Sequence, residues 1–296
     1  MSSSKAPRLS LPKMSDRLAL DRTGLLVSPF CLGMVSSDET ACAAFDAGIN
    51  FFFLSADLHW PAYEVARRGL AKLLARGQGI RDQIVVAIAS YVTQPEFCGI
   101  ALSEGLQAVS HLNSIDVAVI GGAHSTEFQT RLEVYSEIRD QGFLGIKAIG
   151  TSFHDRASAR WAISNGLVPL SFVRYNPSHP GARHDLFPDL KQRGPALVYN
   201  FKSTLGFVEP KRYAELGLND DYWQPSITDY YRFALTRPEI DGLLCSPQTP
   251  LEVEALANAL EEGPLDEEEE EYLIDLALLD EGRASLMRHD VGQQVV

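Results

Sequence analysis

Two histidines have the clearest capacity for chemistry in this chain: His59, within Asp57-Leu58-His59-Trp60, and His154, within Ser152-Phe153-His154-Asp155. Each follows a short apolar run, and an imidazole that titrates near neutral pH can give or take a proton. Asp57 could orient either of them. Lys202 follows the apolar run 196–201, where an ammonium can hold an anion or form a Schiff base. Arg174, Arg183 and Lys202 favour an anionic small molecule, because guanidinium and ammonium donors match carboxylate and phosphate oxygens. Trp60, Tyr91, Arg174 and Asn176 are the expected substrate contacts. Plainer readings stand beside these: His59 shaping the Trp60-Pro61 loop, His154 neighbouring a helix cap, Lys202 solvated, Arg174 paired with an internal carboxylate. No metal is expected. The histidines form no H-x-H or H-E-x-x-H motif, and Cys31, Cys42, Cys98 and Cys245 are scattered.

These residues need a scaffold that brings distant segments together. Apolar strand-like runs recur at 30–34, 50–55, 84–91, 115–121, 147–153, 170–175, 196–201 and 242–246. Helical patterns lie between them, at 39–47, 63–75, 94–111, 125–141, 155–165, 184–192 and 228–236, with a last amphipathic segment at 250–260. The alternation predicts an α/β fold, a (β/α)8 TIM barrel, in which reactive groups gather at the C-terminal ends of the strands. No G-x-G-x-x-G follows the first strand, which disfavours an open nucleotide-binding sheet. Residues 1–16, Ser- and Pro-rich at the start, read as a disordered tail, and 17–296 as one barrel domain ending in an acidic helix.

The segment Gly48-Ile49-Asn50-Phe51-Phe52-Phe53-Leu54-Ser55-Ala56-Asp57-Leu58-His59 resembles the second barrel strand and loop of the aldo/keto reductases, G-I-N-F-F-D-T-A-x-x-Y. Further likenesses follow in order: Leu18 to Ser28 resembles L-G-R-T-G-L-x-V-S, Arg81 to Val86 resembles R-D-x-V-V-I, Ile149-Gly150-Thr151-Ser152 resembles I-G-x-S, and Tyr175-Asn176 resembles Y-N. The resemblance implies a barrel of that family. It also implies that the catalytic Asp, Tyr, Lys and His fall on Leu54, His59, Ser90 and Gly121, so that the reductase tetrad is replaced; a shift of one residue would put the first on Phe53 instead.

The same resemblance bears on cofactor. Ser152 and Tyr199 occupy positions that contact or stack on a nicotinamide, and Ser246 falls in the loop after the eighth strand. Phe153 and Phe172 fall where the carboxamide would be hydrogen-bonded. No Lys or Arg occurs from Cys245 to Gly282, where a ribose phosphate would need one. The expectation is therefore no nicotinamide, or NADH, with NADPH disfavoured. Three functions follow: a repurposed small-molecule enzyme doing acid–base work through His59 and His154; a nicotinamide-dependent oxidoreductase with a substituted catalytic set; or a non-catalytic binding protein.

Charge and composition narrow the partners. The net charge is −13, and residues 251–281 hold thirteen acidic side chains and no basic one. That disfavours nucleic acid and anionic membranes, which recruit basic surfaces. The run Glu267–Glu271 is expected to be a solvated face at a helix start, where carboxylates suit the macrodipole. No apolar stretch has the roughly 18 residues of a membrane span, and unpaired cysteines suit the cytoplasm. Oligomeric state is not legible.

Overall fold

The computed structural model describes residues 8–77, 79–218 and 221–282. A short antiparallel hairpin of β1 (Leu18–Ala19) and β2 (Leu26–Val27) comes first. Eight parallel strands follow: β3 (Phe30–Leu32), β4 (Phe51–Ser55), β5 (Val85–Ser90), β6 (Val117–Ala123), β7 (Ala148–Phe153), β8 (Leu170–Arg174), β9 (Leu197–Phe201) and β10 (Gly242–Cys245). They close into a barrel as β10 pairs with both β9 and β3. Asn50 ties the hairpin to the N-terminal end of the barrel: its Oδ1 accepts from Ser28 N and its Nδ2 donates to Leu26 O. This is the (β/α)8 architecture that the alternation predicts.

Helices fill the outer layer: α1 (Asp38–Asp46), α2 (Glu64–Leu74), α3 (Ile80–Gln83), α4 (Pro95–Gln107), α5 (Phe128–Gln141), α6 (Arg156–Ser164), α7 (Ala182–Asp185), α8 (Ile227–Thr236), α9 (Pro250–Glu261) and α10 (Glu267–Asp280). Their starts are set by side chains that satisfy free N–H groups. Ser37 caps α1, Asp155 caps α6, and Asp266 with Glu269 forms a capping box on α10. The sequence suggests one helix over 184–192. Leu186-Phe187-Pro188 instead divides that stretch into α7 and a 3-10 turn, because proline cannot continue the backbone ladder.

The direction of each side chain decides what reaches the mouth. Alternate residues of a strand point to opposite faces. Phe51 of β4 meets Tyr199 of β9 edge to face at 5.7 Å, and Phe53 meets Phe172 of β8 at 5.4 Å. These strands are not neighbours, so the rings meet across the barrel interior. Counting by two toward the C-terminal ends, Ser55, Arg174 and Phe201 follow on the inner face, and Asp57 lies beyond the end of β4. On β7, Phe153 packs outward against Phe128 of α5, which turns Ser152 and His154 inward. On β5, Ile88 lies against Gly105 of α4, which turns Tyr91 inward.

Two sequence expectations are corrected by the packing. The tail does not run free to residue 16: Leu11 and Met14 are buried, Arg8 Nη2 donates to Ile240 O, and a Cβ on Gly48 would come 2.8 Å from Ser15 Cα. Residues 1–7 lie outside the described part. The Glu267–Glu271 run is not wholly solvated either. Glu270 is buried, and Arg183 and Arg237 both donate to its Oε2 while both also reach Tyr175 Oη. That cluster clamps α10 onto the residue directly after Arg174.

Candidate active site at the barrel mouth

Asp57 organises one side of the mouth. Its Oδ2 accepts from Ser90 Oγ at 2.6 Å, and both oxygens accept from Tyr91 N at 3.0–3.1 Å. Leu58 N also donates to Oδ1. With its oxygens so occupied, Asp57 positions the β5 end and does not orient His59 or His154, as the sequence suggested it could. Behind it the buried Arg131 donates to Ser90 O and Gly121 O, at 2.9 and 3.0 Å. Ser90 ends β5 and Gly121 lies in the register break of β6 between Ile120 and Ala123, so Arg131 supplies donors that the ladder does not.

Tyr91 is the centre of this arrangement. Its ring lies over Gly121, where a Cβ would approach within 2.8 Å of Cδ1. His59 meets the ring edge to face at 5.4 Å. The Ser152 hydroxyl lies beside the phenol and accepts from Gly122 N at 2.9 Å. Burial first, and the Asp57 carboxylate second, raise the phenol's pKa, so that it stays protonated at neutral pH. The arrangement can donate a proton from the phenol, with an imidazole alongside to exchange protons with solvent.

The opposite side is cationic. Arg174 ends β8, His154 and Lys202 directly follow the neighbouring strands β7 and β9, and the register pairs Phe153 with Val173 and Arg174 with Phe201. Among the described residues no carboxylate pairs with the side chains of Arg174 or Lys202. Burial, then Lys202 and Arg174, and then His124 and His59, lower the His154 pKa. His154 stands edge to face with Phe201 at 5.2 Å.

Several other expected site residues are placed elsewhere. Tyr199 is fully buried and its Oη donates to Ser28 O at the N-terminal end, 2.6 Å away. It cannot stack on a ligand at the mouth; Phe201, two residues on, faces that space. Asn176 is buried, with Nδ2 on Lys202 O and Oδ1 beside His179 Nδ1, so it holds the loop instead of touching substrate. One face of Trp60 is covered by the Arg67 guanidinium at 3.8 Å, which limits it as a substrate contact. Leu54 points to the helix layer, because Phe53 points inward; of the two, Phe53 holds the internal position.

Ser246 lines a small cavity of about 230 Å³ with Thr204, Ile227, Thr228, Tyr231, Pro247, Gln248 and Glu252. The loop is internally bonded: Gln248 N donates to Glu252 Oε2, and Ser36 and Thr40 donate to Gln248 O. No group of three or more His, Cys, Asp or Glu among the described residues could hold a metal. No described helix is long and apolar enough to cross a membrane.

No family model matches the sequence, and no curated protein matches it. The fold, by contrast, matches solved structures. An aldo-keto reductase from Bacillus halodurans is similar over 93% of this chain and 99% of its own, with a TM-score of 0.70 at 15% identity. The glycerol dehydrogenase of Gluconobacter oxydans is similar over 92% and 98%, with a TM-score of 0.65 at 14% identity. A thermostable aldo-keto reductase solved with the inhibitor epalrestat covers 88% and 99%, with a TM-score of 0.64 at 18% identity. The chain has the aldo/keto reductase barrel.

Proposed function

We propose that this barrel is an enzyme that performs acid–base chemistry (elimination, isomerisation or cyclisation) on a small anionic molecule, in place of tetrad-style carbonyl reduction. The observation that carries the reading is the Tyr91 phenol set against His59 and Ser152, across from a rim where, among the described residues, no carboxylate pairs with Arg174 or Lys202. Arg174 and Lys202 bind the substrate's anionic group. His59 takes up the proton that leaves the substrate, Tyr91 gives its phenol proton to the atom where negative charge develops, and exchange with solvent restores both groups. Asp57 and Arg131 hold Tyr91 through the β5 end. In this reading the tetrad positions are replaced: Ser90 serves Asp57, and Gly121 makes room for the Tyr91 ring.

A nicotinamide cofactor is implied by the fold type, and the residues present fit it poorly. Tyr199 is buried below the mouth, and the Ser246 loop presents Glu252 where a phosphate would need a cation. No step is assigned to it. The four cysteines are free and buried, which supports a cytoplasmic place.

The fold likeness over nearly the whole chain favours a second reading, a nicotinamide-dependent oxidoreductase in which His59 is the acid. Calorimetric titration with NADH, NADPH and their oxidised forms separates the two. The acid–base reading expects no saturable heat from any of them on folded protein; micromolar binding of either pair establishes the second.

A further inference from the structure

We infer that the anion accepted at this mouth is a dianionic phosphate monoester, held between His154, Arg174 and Lys202. The inference rests on the anion-binding half of the function proposed above and names its substrate class. Three cationic or protonatable groups stand on adjacent strand ends, and neighbouring strands are about 4.8 Å apart. One guanidinium is enough for a carboxylate, which it grips with two parallel hydrogen bonds. A further fixed cation and an imidazole, with no carboxylate paired to Arg174 or Lys202 among the described residues, call for a second negative charge and a third oxygen. A phosphate monoester offers both, carrying about −1.5 to −2 at pH 7.

The surrounding backbone is committed to this geometry. Lys202 sits in the left-handed region at φ +56°, a conformation that disfavours a residue with a Cβ. Asn176 Nδ2 holds the Lys202 carbonyl at 2.8 Å, and Asn176 is itself wholly buried. Lys202 and Arg174 both lie close enough to His154 for their charges to act on its ring. The nearest carboxylate in sequence, Asp155, is engaged with Ala157 N, Ser158 N and the Ser158 hydroxyl as the cap of α6. It does not neutralise the rim.

His154 reports on occupancy. It faces Arg174 and Phe201 from the neighbouring strand ends, Lys202 beyond them, His124 after β6 and His59 after β4. Those cations oppose its protonation, and a bound dianion reverses that.

The test titrates the full chain at pH 7.5 with methyl phosphate, dimethyl phosphate and acetate, by calorimetry and by the His154 ring resonances. Dimethyl phosphate carries one charge, like each phosphate of a dinucleotide, so it separates a monoester from a pyrophosphate ligand. Methyl phosphate is expected to bind at least about tenfold tighter than either monoanion and to raise the His154 pKa. Arg174→Gln and, separately, the exposed Lys202→Gln are each expected to weaken it about tenfold, with unchanged circular dichroism. Equal affinity for the three anions, no binding by folded protein, or unchanged affinity in both variants overturns the inference. Binding is read without turnover: phosphate selectivity with no proton transfer sinks the acid–base reading alone, and proton transfer without phosphate selectivity sinks this inference alone.

Discussion

The Tyr91 ring rests on Gly121, with no room between them for a methyl group: a Cβ there would lie 2.8 Å from Tyr91 Cδ1 and 2.9 Å from Ser90 O. The ring thus takes the space that a side chain at position 121 would fill. Gly121→Ala should push the phenol off Ser152 and His59. The expected stability loss is about 1–3 kcal/mol, the usual cost of overpacking. Turnover should fall far more than that loss explains, while methyl phosphate affinity holds. Thermal unfolding and calorimetry on the one variant check both halves.

Asp57 acts on Tyr91 through the backbone and the Ser90 hydroxyl. Asp57→Ala strands those donors, at about 1–3 kcal/mol of stability. Asp57→Asn keeps an acceptor and should recover part of both stability and turnover. Failure of the asparagine to recover anything over alanine would make the carboxylate's charge the essential property.

His154 gives a pH signature whose sign is fixed. Burial and the facing cations lower its folded pKa below the ordinary value of about 6.5. The unfolded chain therefore binds the extra proton more readily between the two values. Stability is lost as pH falls from the ordinary value through the folded one, and is regained on the way up. His154→Asn should flatten that acid-side slope, and Arg174→Gln should raise the His154 pKa. Denaturant midpoints across pH 4.5–8, a range set about the ordinary value, read the first effect; ring resonances read the second.

Glu270 is buried between Arg183 and Arg237 in the first turn of α10. Glu270→Ala leaves two guanidinium groups short of their shared acceptor and should cost about 3 kcal/mol. Because Tyr175 joins that cluster and follows Arg174, the variant should also weaken methyl phosphate binding. A stability loss with anion affinity unchanged would show that the clamp serves α10 alone.

The barrel was legible in the sequence because each strand is a short apolar run set off by a helical pattern, and eight such units have one compact closure. The cationic rim was legible as well, since Arg174, Lys202 and His154 each end or follow such a run. Roles were harder. Tyr199 reads as an aromatic that stacks on a cofactor until its register with Gly242 and the bond to Ser28 O place it low in the barrel. Counting by two from Phe51 puts Phe53 and not Leu54 on the inner face, and counting by two from Tyr199 puts Phe201 one layer nearer the mouth. Arg131 gave no such signal, because it lies on a helix and acts on carbonyls 10 and 41 residues away. Glu270 was hidden in a run of identical residues, where only the helix phase selects the buried one.

The most direct test of the proposed chemistry is proton exchange without any nicotinamide. Small phosphorylated carbonyl compounds are incubated with the protein in D2O, and deuterium entering beside the carbonyl is followed by NMR. Wild type should incorporate deuterium, His59→Ala should slow it, and Tyr91→Phe should reduce it by about 10²–10⁴-fold, the contribution typical of one positioned acid or base. No incorporation by wild type across the series, together with turnover of the same compounds once NADPH is added, would contradict the acid–base assignment and return this barrel to reductase chemistry.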